Sequence, residues 1–442
     1  MGLTGLEIFK QLPKTNCKDC GFPTCLAFAM ALANGKVSLN QCPHVSQAAK
    51  EALTSASAPP IALVRIGTGS RELLLGNETV LFRHDKRFEH PPGIAISVLD
   101  TEDIIVKIEQ INKLFFDRMG QLYNVNLVAL HHTSRDAARF AAAVKIAMEN
   151  TELPLLLLST KLAAVEKALG ATATKKPLVA SATTGNYEAM TSLAKKFDVP
   201  LVVQGSNLNE LAELVEKVMA LGLQQLILDS GAREANKVLA DQTQLRRQAL
   251  KRFRPFGYPT ITFADHEDPI LAVINAGLYI AKYAGIVVLS TADPADILPL
   301  ITLRLNIYTD PQKPLAVESR IYEIGMPGPT SPVYVTTNFS LTYFCVAGDI
   351  ETSRVPGYIL PVDTDGVSVL TGWAAGKLTP EKIAGMLQNS GIADKVSHRK
   401  VIIPGAVAVL SGKLQELSGW EVLVGPRESA AIPAFIRQRW GT

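Results

Sequence analysis

The strongest constraint on this chain is a rhythm. From Ile94 onward, short apolar runs begin near Ile94, Leu127, Leu155, Leu178, Leu201, Leu226, Ile261 and Ile286, at intervals of 23–35 residues. Helix-like stretches such as NLNELAELVEKVMALG fill the gaps. Three of the runs follow a Pro, at Pro154, Pro177 and Pro200. Uninterrupted apolar strands alternating with helices are what a parallel sheet covered on both faces needs. Eight strand–helix units in about 200 residues predict a (β/α)8 barrel.

At 442 residues the chain is too long for the barrel alone. The stretch TSASAPP, from Thr54 to Pro60, reads as a linker, and the glycine- and proline-rich GMPGPTSP, from Gly325 to Pro332, as a second break. They divide the chain into an N-terminal segment (1–57), a barrel region (58–325) and a C-terminal α/β domain (326–442). The barrel region opens with the runs ALVRIG and ELLLGNETVLF, the second broken at Gly76–Asn77, which read as a hairpin. Gly67 and Gly69 do not form a dinucleotide fingerprint, since the third glycine and the following helix are missing. In the C-terminal part, VYVTT, YILPV, VSVL, VIIP and WEVLV read as strands. A helix is expected to start at Thr379–Pro380 and stop near Asn389–Gly391. The fold class is a multidomain α/β protein with a central barrel and an open, Rossmann-like C-terminal sheet.

Four of the five cysteines are gathered in CKDCGFPTCLAFAMALANGKVSLNQCP, as Cys17, Cys20, Cys25 and Cys42, with Pro43 after the last. The stretch LAFAMALANGK between them reads as a helix stopped at Asn34–Gly35. The N-terminus lacks a basic segment followed by an apolar one, Leu6 stands where a myristoylation signal needs Ser or Thr, and no apolar run approaches the ~20 residues of a membrane span. These features predict a reducing cytoplasm, where a tight cysteine group points to metal rather than disulfides. Four thiolates on a turn suit a [4Fe–4S] cluster. Zinc is the alternative, weakened because its four-cysteine sites use two close pairs, whereas here sixteen residues separate Cys25 from Cys42. Cys345, in TYFCVAG, is expected to be a buried free thiol. A net charge of +3 with 19% charged residues excludes an electrostatic case for nucleic acid or an anionic membrane.

Open α/β sheets place ligands beyond the carboxyl ends of their strands. The candidates there are Asn338, Ser340, Leu341 and Thr342; Thr371, Gly372, Trp373 and Ala374; Pro404, Gly405 and Ala406; and Gly425. Small residues let backbone approach a large flat ligand, although ordinary turn chemistry would also place them there. The polar groups His131–His132, Ser181–Thr184, Gln204–Asn207, Asp229–Ser230 and Asp265–His266 fall at the barrel's rim. The run LRRQALKRFRPF, Leu245 to Phe256, is read as a solvated basic helix face, with docking of an acidic partner as the alternative.

The CKDCGFPTC…CP pattern, the eight-unit barrel and the small α/β tail, in this order, resemble the large subunits of the corrinoid iron–sulfur proteins, methyl carriers of the reductive acetyl-CoA pathway. The resemblance covers essentially the whole chain, and the cysteine motif is its most specific part. It implies that Cys17, Cys20, Cys25 and Cys42 hold a [4Fe–4S] cluster and that a cobalamin-type corrinoid lies on the C-terminal loops. It also implies a small barrel subunit forming a heterodimer, a separate methyltetrahydrofolate:corrinoid methyltransferase, acetyl-CoA synthase/CO dehydrogenase as methyl acceptor, and a low-potential electron donor. None of the seven histidines lies in an Asp-x-His-x-x-Gly setting, and only His398 falls in the C-terminal domain, where a solvated side chain is expected. The resemblance therefore implies a corrinoid with its lower base displaced and no protein histidine ligand. A self-contained pterin-dependent methyltransferase, or an iron–sulfur electron-transfer protein without corrinoid, are the alternative readings.

Overall fold

A computed structural model describes residues 5–33, 37, 39–46, 49, 59–118 and 121–440. The expected helix stop at Asn34–Gly35 and the linker residues 54–58 lie outside the described residues. Two compact units emerge. One comprises Met1–Leu81, Glu89–Ile104 and Leu127–Leu289; the other comprises Phe82–Phe88, Ile105–Asn126 and Ser290–Thr442.

The first unit carries the barrel. Eight parallel strands pair in the order Leu226–Asp229, Leu201–Gln204, Leu178–Ala182, Leu155–Leu158, Leu127–His131, Gly93–Leu99, Ile286–Leu289 and Ile261–Phe263. A parallel bridge between Leu228 and Thr260 joins the two ends of this order. The strands begin where the apolar runs do because they are buried on both faces, so each is a run without polar alternation. Alternate residues, among them Ala95, Leu127, Ala129, Leu156, Val202 and Ile286, fill the interior.

The hairpin Val64–Ile66/Leu73–Leu75 packs Val64, Ile66, Leu73 and Leu75 into that same core. Its exit turn is fixed by Gly76, at φ +98°, where a Cβ would fall 1.9 Å from the Ala62 carbonyl oxygen. The basic run is not wholly a solvated face. Arg246 is buried, donates to Glu78 at 2.8 Å and to the Val80 carbonyl at 2.9 Å, and lies 5.1 Å from the Tyr283 ring centroid. It falls on the inward stripe of the helix Ala235–Leu250 together with Val238, Gln242, Leu245 and Ala249.

In the second unit a five-stranded sheet runs in the order Tyr322–Ile324, Gly357–Val362, Val333–Thr337, Lys400–Ile403, Glu421–Val424. Only Tyr322–Ile324 is antiparallel to its neighbour. The helix Pro380–Asn389 begins at its Thr379 cap and is followed by Gly391 at φ +79°. VSVL is not a strand. Asp365 and Gly366 turn the chain with positive φ, and Val369–Ala374 coils into a short helix whose Gly372 N–H donates to Ser368 O at 2.7 Å. Four residues of apolar–polar alternation were too few to separate one helical turn from a strand. No helix among the described residues is long and apolar enough to cross a membrane.

Candidate functional site

The N-terminal thiols sit on a tightly wound loop. Lys14, Asn16, Lys18 and Gly21 all have positive φ, and the Asn16 side chain accepts the Cys25 N–H at 2.8 Å. Cys25 opens the helix Cys25–Ala33, and with Cys42 it is buried in a small core beside Ile8, Leu12, Phe28 and Val45. Cys20 packs partly against this core and Cys17 is exposed. Four zinc-bound thiolates at about 2.3 Å from the metal would lie within about 4 Å of one another. Here no three of the four thiols approach within 4.8 Å; the single tight ligand set among the described residues is Cys17, Asp19 and His44. His44 Nε2 lies 2.6 Å from Asp19, and this hydrogen bond, with one from Cys17, holds the Asp19 carboxyl below its ordinary range.

At the carboxyl ends of the C-terminal strands a cavity of about 370 Å³ opens. Of the residues expected there, Leu341, Thr342, Pro404 and Gly425 line it together. Ser340 is buried just beneath, its Oγ without a partner. Asn338 is not part of the wall. Its Oδ1 accepts from Thr364 N and Gly366 N at 3.0 Å and from Thr364 Oγ1 at 3.1 Å, while its Nδ2 donates to Asp363 at 3.0 Å, so it braces the loop 363–366. Thr371, Gly372, Trp373 and Ala374 lie on the short helix after Ser368, outside the lining. Gly405 and Gly425 are accounted for by chain crossing: a Cβ on Gly405 would meet Gly425 O at 2.4 Å, and Gly405 N–H donates to Pro426 O. Ala406 is half-buried beside them and does not reach the cavity.

The sequence reading missed Tyr334, Thr336, Ser368 and Val369, which also line the cavity. Cys345 is exposed and lines it too, contrary to expectation. It stands one helical turn beyond Leu341 and Thr342, and that spacing was the available signal. Tyr334 OH and Thr336 Oγ1 are buried without partners. Burial pushes the Tyr334 phenol well above its usual range. Unpartnered hydroxyls under an open cavity fit a large ligand that brings its own hydrogen-bonding groups. His398 is only partly solvated. It is half-buried at the amino end of the strand Lys400–Ile403, 2.9 Å from Ser331 O and edge-on to Trp440. Among the described residues, no histidine lines the cavity.

The barrel mouth holds a second cavity, of about 1130 Å³. His131, His132, Ser181, Gln204, Asp229 and Asp265 all line it, as their strand-end positions led us to expect. Asp229 is buried and paired in two bonds, at 2.9 and 3.0 Å, with Arg233, whose guanidinium lies 4.5 Å from the Phe263 ring centroid. Ser181 Oγ donates to Gln204 at 2.8 Å. Asp265 is reached by solvent but hemmed in by the wall; desolvation raises its carboxyl above the usual range, against the pull of His131 and Arg233. Asp100, behind the mouth, accepts from Thr133 N and Ser134 N at 2.9 Å and from their hydroxyls at 2.8 and 2.6 Å. These bonds hold its carboxyl below the usual range although desolvation, the largest single influence, opposes them.

Comparison with known proteins bears on both ends of the chain. Residues 12–44 match a family described as a putative Fe–S cluster, and residues 63–436 match the family described as the CO dehydrogenase/acetyl-CoA synthase delta subunit. The corrinoid/iron–sulfur protein large subunit of Moorella thermoacetica is 54% identical over 441 residues, 99% of each chain. The acetyl-CoA decarbonylase/synthase complex subunit gamma of Methanopyrus kandleri is 34% identical, covering 99% of this chain and 98% of its own. A dihydropteroate synthase from Thermus thermophilus overlays at TM-score 0.40 and 14% identity, covering 56% of this chain and all of its own, a likeness too slight to carry weight. With identity at this level running from the thiol loop through the barrel to the last strand, the chain belongs to the family of corrinoid/iron–sulfur protein large subunits.

Proposed function

We propose that this chain is a methyl-group carrier of the acetyl-CoA pathway, working between a methyltetrahydrofolate-dependent methyltransferase and acetyl-CoA synthase, in a heterodimer with a small barrel subunit. The observation that carries the reading is full-length identity to a corrinoid/iron–sulfur large subunit, joined in one chain to a four-thiol loop and a strand-end cavity. When bound, the corrinoid would supply a cobalt nucleophile for the methyl group, and the cluster the low-potential electron that restores it after stray oxidation.

The protein's own residues hold and expose these groups. Cys17, Cys20, Cys25 and Cys42 are the proposed cluster ligands. Cys25 and Cys42 are fixed by the small core, and the Asn16–Cys25 hydrogen bond sets the first helical turn. In the C-terminal unit Leu341, Thr342, Pro404 and Gly425 would line the corrinoid's seat, with Thr336 and Tyr334 offering hydroxyls to its amide groups. Ser340, Thr371, Gly372, Trp373, Ala374, Gly405 and Ala406 would support the surrounding loops. None of the described residues of the wall would offer the corrinoid an imidazole ligand.

Anaerobic co-purification with the partner subunit, followed by metal analysis and EPR spectroscopy, tests this reading. About one cobalt and about four irons per pair, without nitrogen hyperfine splitting in the cobalt(II) signal, is the expected result. Iron without cobalt would replace it with an electron-transfer role, and pterin-dependent turnover without a third protein would make the barrel itself the methyltransferase. Cys42→Ser is expected to lose most of the iron while leaving cobalt in place.

A further inference from the structure

Methyl carriage at the C-terminal cavity makes no use of the barrel mouth, although the mouth encloses about 1130 Å³, ample for a metabolite-sized ligand. Its charges are sorted. Arg135 and Lys161 follow the strands Leu127–His131 and Leu155–Leu158, and among the described residues neither has an ion pair. Asp229 is already neutralised by Arg233. Asp265 follows Ile261–Phe263, four strands from Leu155–Leu158 around an eight-strand ring, and so faces the Lys161 side from across the mouth.

The cationic side carries further donors. Lys161 stands at the cap position of the helix Leu162–Thr172 without a side-chain cap, and Ala163 and Ala164 of its first turn line the cavity. Ser159 Oγ accepts the Lys161 N–H at 3.2 Å and lies 2.9 Å from His132 Nδ1. His132 Nε2, in the same wall, is buried and has no partner. The floor is apolar, made by Leu158, Ala180, Val202 and Val288.

We propose that the barrel mouth binds a small organic oxyanion. Its phosphate or carboxylate seats against Arg135, Lys161 and the first turn of Leu162–Thr172, and its hydrogen-bonding far end reaches Gln204 and Asp265. This site rests on the mouth alone and is independent of methyl carriage. Paired cations and a helix amino end are the chemistry that recognises such groups, while Asp265 opposite repels a second negative charge and accepts N–H or O–H donors.

Isothermal titration calorimetry on the metal-loaded complex, with inorganic phosphate and 4-hydroxybutyrate in separate runs at low ionic strength, tests the proposal. Saturable binding of either probe is expected, weakened at least about tenfold by Arg135→Asn with Lys161→Ala and partly restored when Lys161→Arg replaces the alanine. Asparagine suits position 135, where φ is +61°, and Lys145→Ala, on an exposed helix face, is expected to change nothing. Binding of phosphate alone assigns a phosphate ester, and of 4-hydroxybutyrate alone a carboxylate. Absence of saturable binding with both probes, or equal binding by the double variant, overturns the proposal. Unchanged cobalt and iron contents in these variants keep its failure distinct from failure of the carrier reading.

Discussion

Asp100 and Asn338 occupy the same place in two different sheets. Each is the first residue after a parallel strand, Gly93–Leu99 in the barrel and Val333–Thr337 in the C-terminal sheet. Each reaches to the loop after the neighbouring strand and accepts backbone and hydroxyl donors there, Asp100 from Thr133 and Ser134, Asn338 from Thr364 and Gly366. One brace is a carboxylate and the other an amide. The carboxylate sits behind a mouth rich in ionisable groups; the amide stands next to a cavity built mainly of hydroxyls and aliphatic carbon. Loop bracing is thus a demand of the βα architecture, whereas the charge of the brace follows the chemistry around it. A carboxylate can only accept, but the amide also donates to Asp363 and so holds one more turn of its loop.

The comparison can be broken in four ways, from the largest effect to the smallest. Asp100→Ala leaves four donors without an acceptor and is expected to lower barrel stability by about 3–4 kcal/mol in urea unfolding, at about 1 kcal/mol or more per unmet group. Asn338→Ala strips three donors and the Asp363 contact, for about 2–3 kcal/mol by the same reasoning, with reduced cobalt retention because the 363–366 loop leads into Ser368 and Val369 of the cavity wall. Asn338→Asp sets two carboxylates side by side at the Asp363 contact, an expected loss of about 1–2 kcal/mol at neutral pH that mild acid relieves by protonating one of them. Asp100→Asn keeps the shape and costs about 1 kcal/mol.

The last variant also carries a pH signature. The Asp100 carboxyl titrates below its ordinary value in the folded state. Its contribution is therefore complete above the unfolded value of about 3.9 and lost as pH falls through the lower folded value. Asp100→Asn should flatten this limb of the acid-unfolding curve; an unchanged limb would show that another carboxylate governs it.

The barrel was legible because its signal is redundant: eight strands buried on both faces leave eight apolar runs at a spacing only a parallel sheet requires. The mouth was legible for the same reason, since residues after strands of one barrel must share a rim. The C-terminal cavity was half legible. Leu341, Thr342, Pro404 and Gly425 follow strands directly, but Ser368 and Val369 arrive through a turn that the VSVL pattern disguised. Arg246, Cys345 and His398 were misjudged through reliance on residue type. Arg246 is buried because Glu78, 168 residues earlier in the chain, meets it; Cys345 is exposed because helical phase turns it to an open cavity; and His398 is held by Ser331 and Trp440, remote in sequence. Each depends on a partner that no local pattern encodes.

The interior side chains, with the hairpin residues Val64, Ile66, Leu73 and Leu75 packed beneath them, make the barrel a cup closed at the end opposite the mouth. Whatever enters at the mouth has to leave by the same opening. Traffic at that rim is therefore governed by whatever stands over it, so that a partner docked there would lock a guest in or keep it out without touching a single residue of the wall.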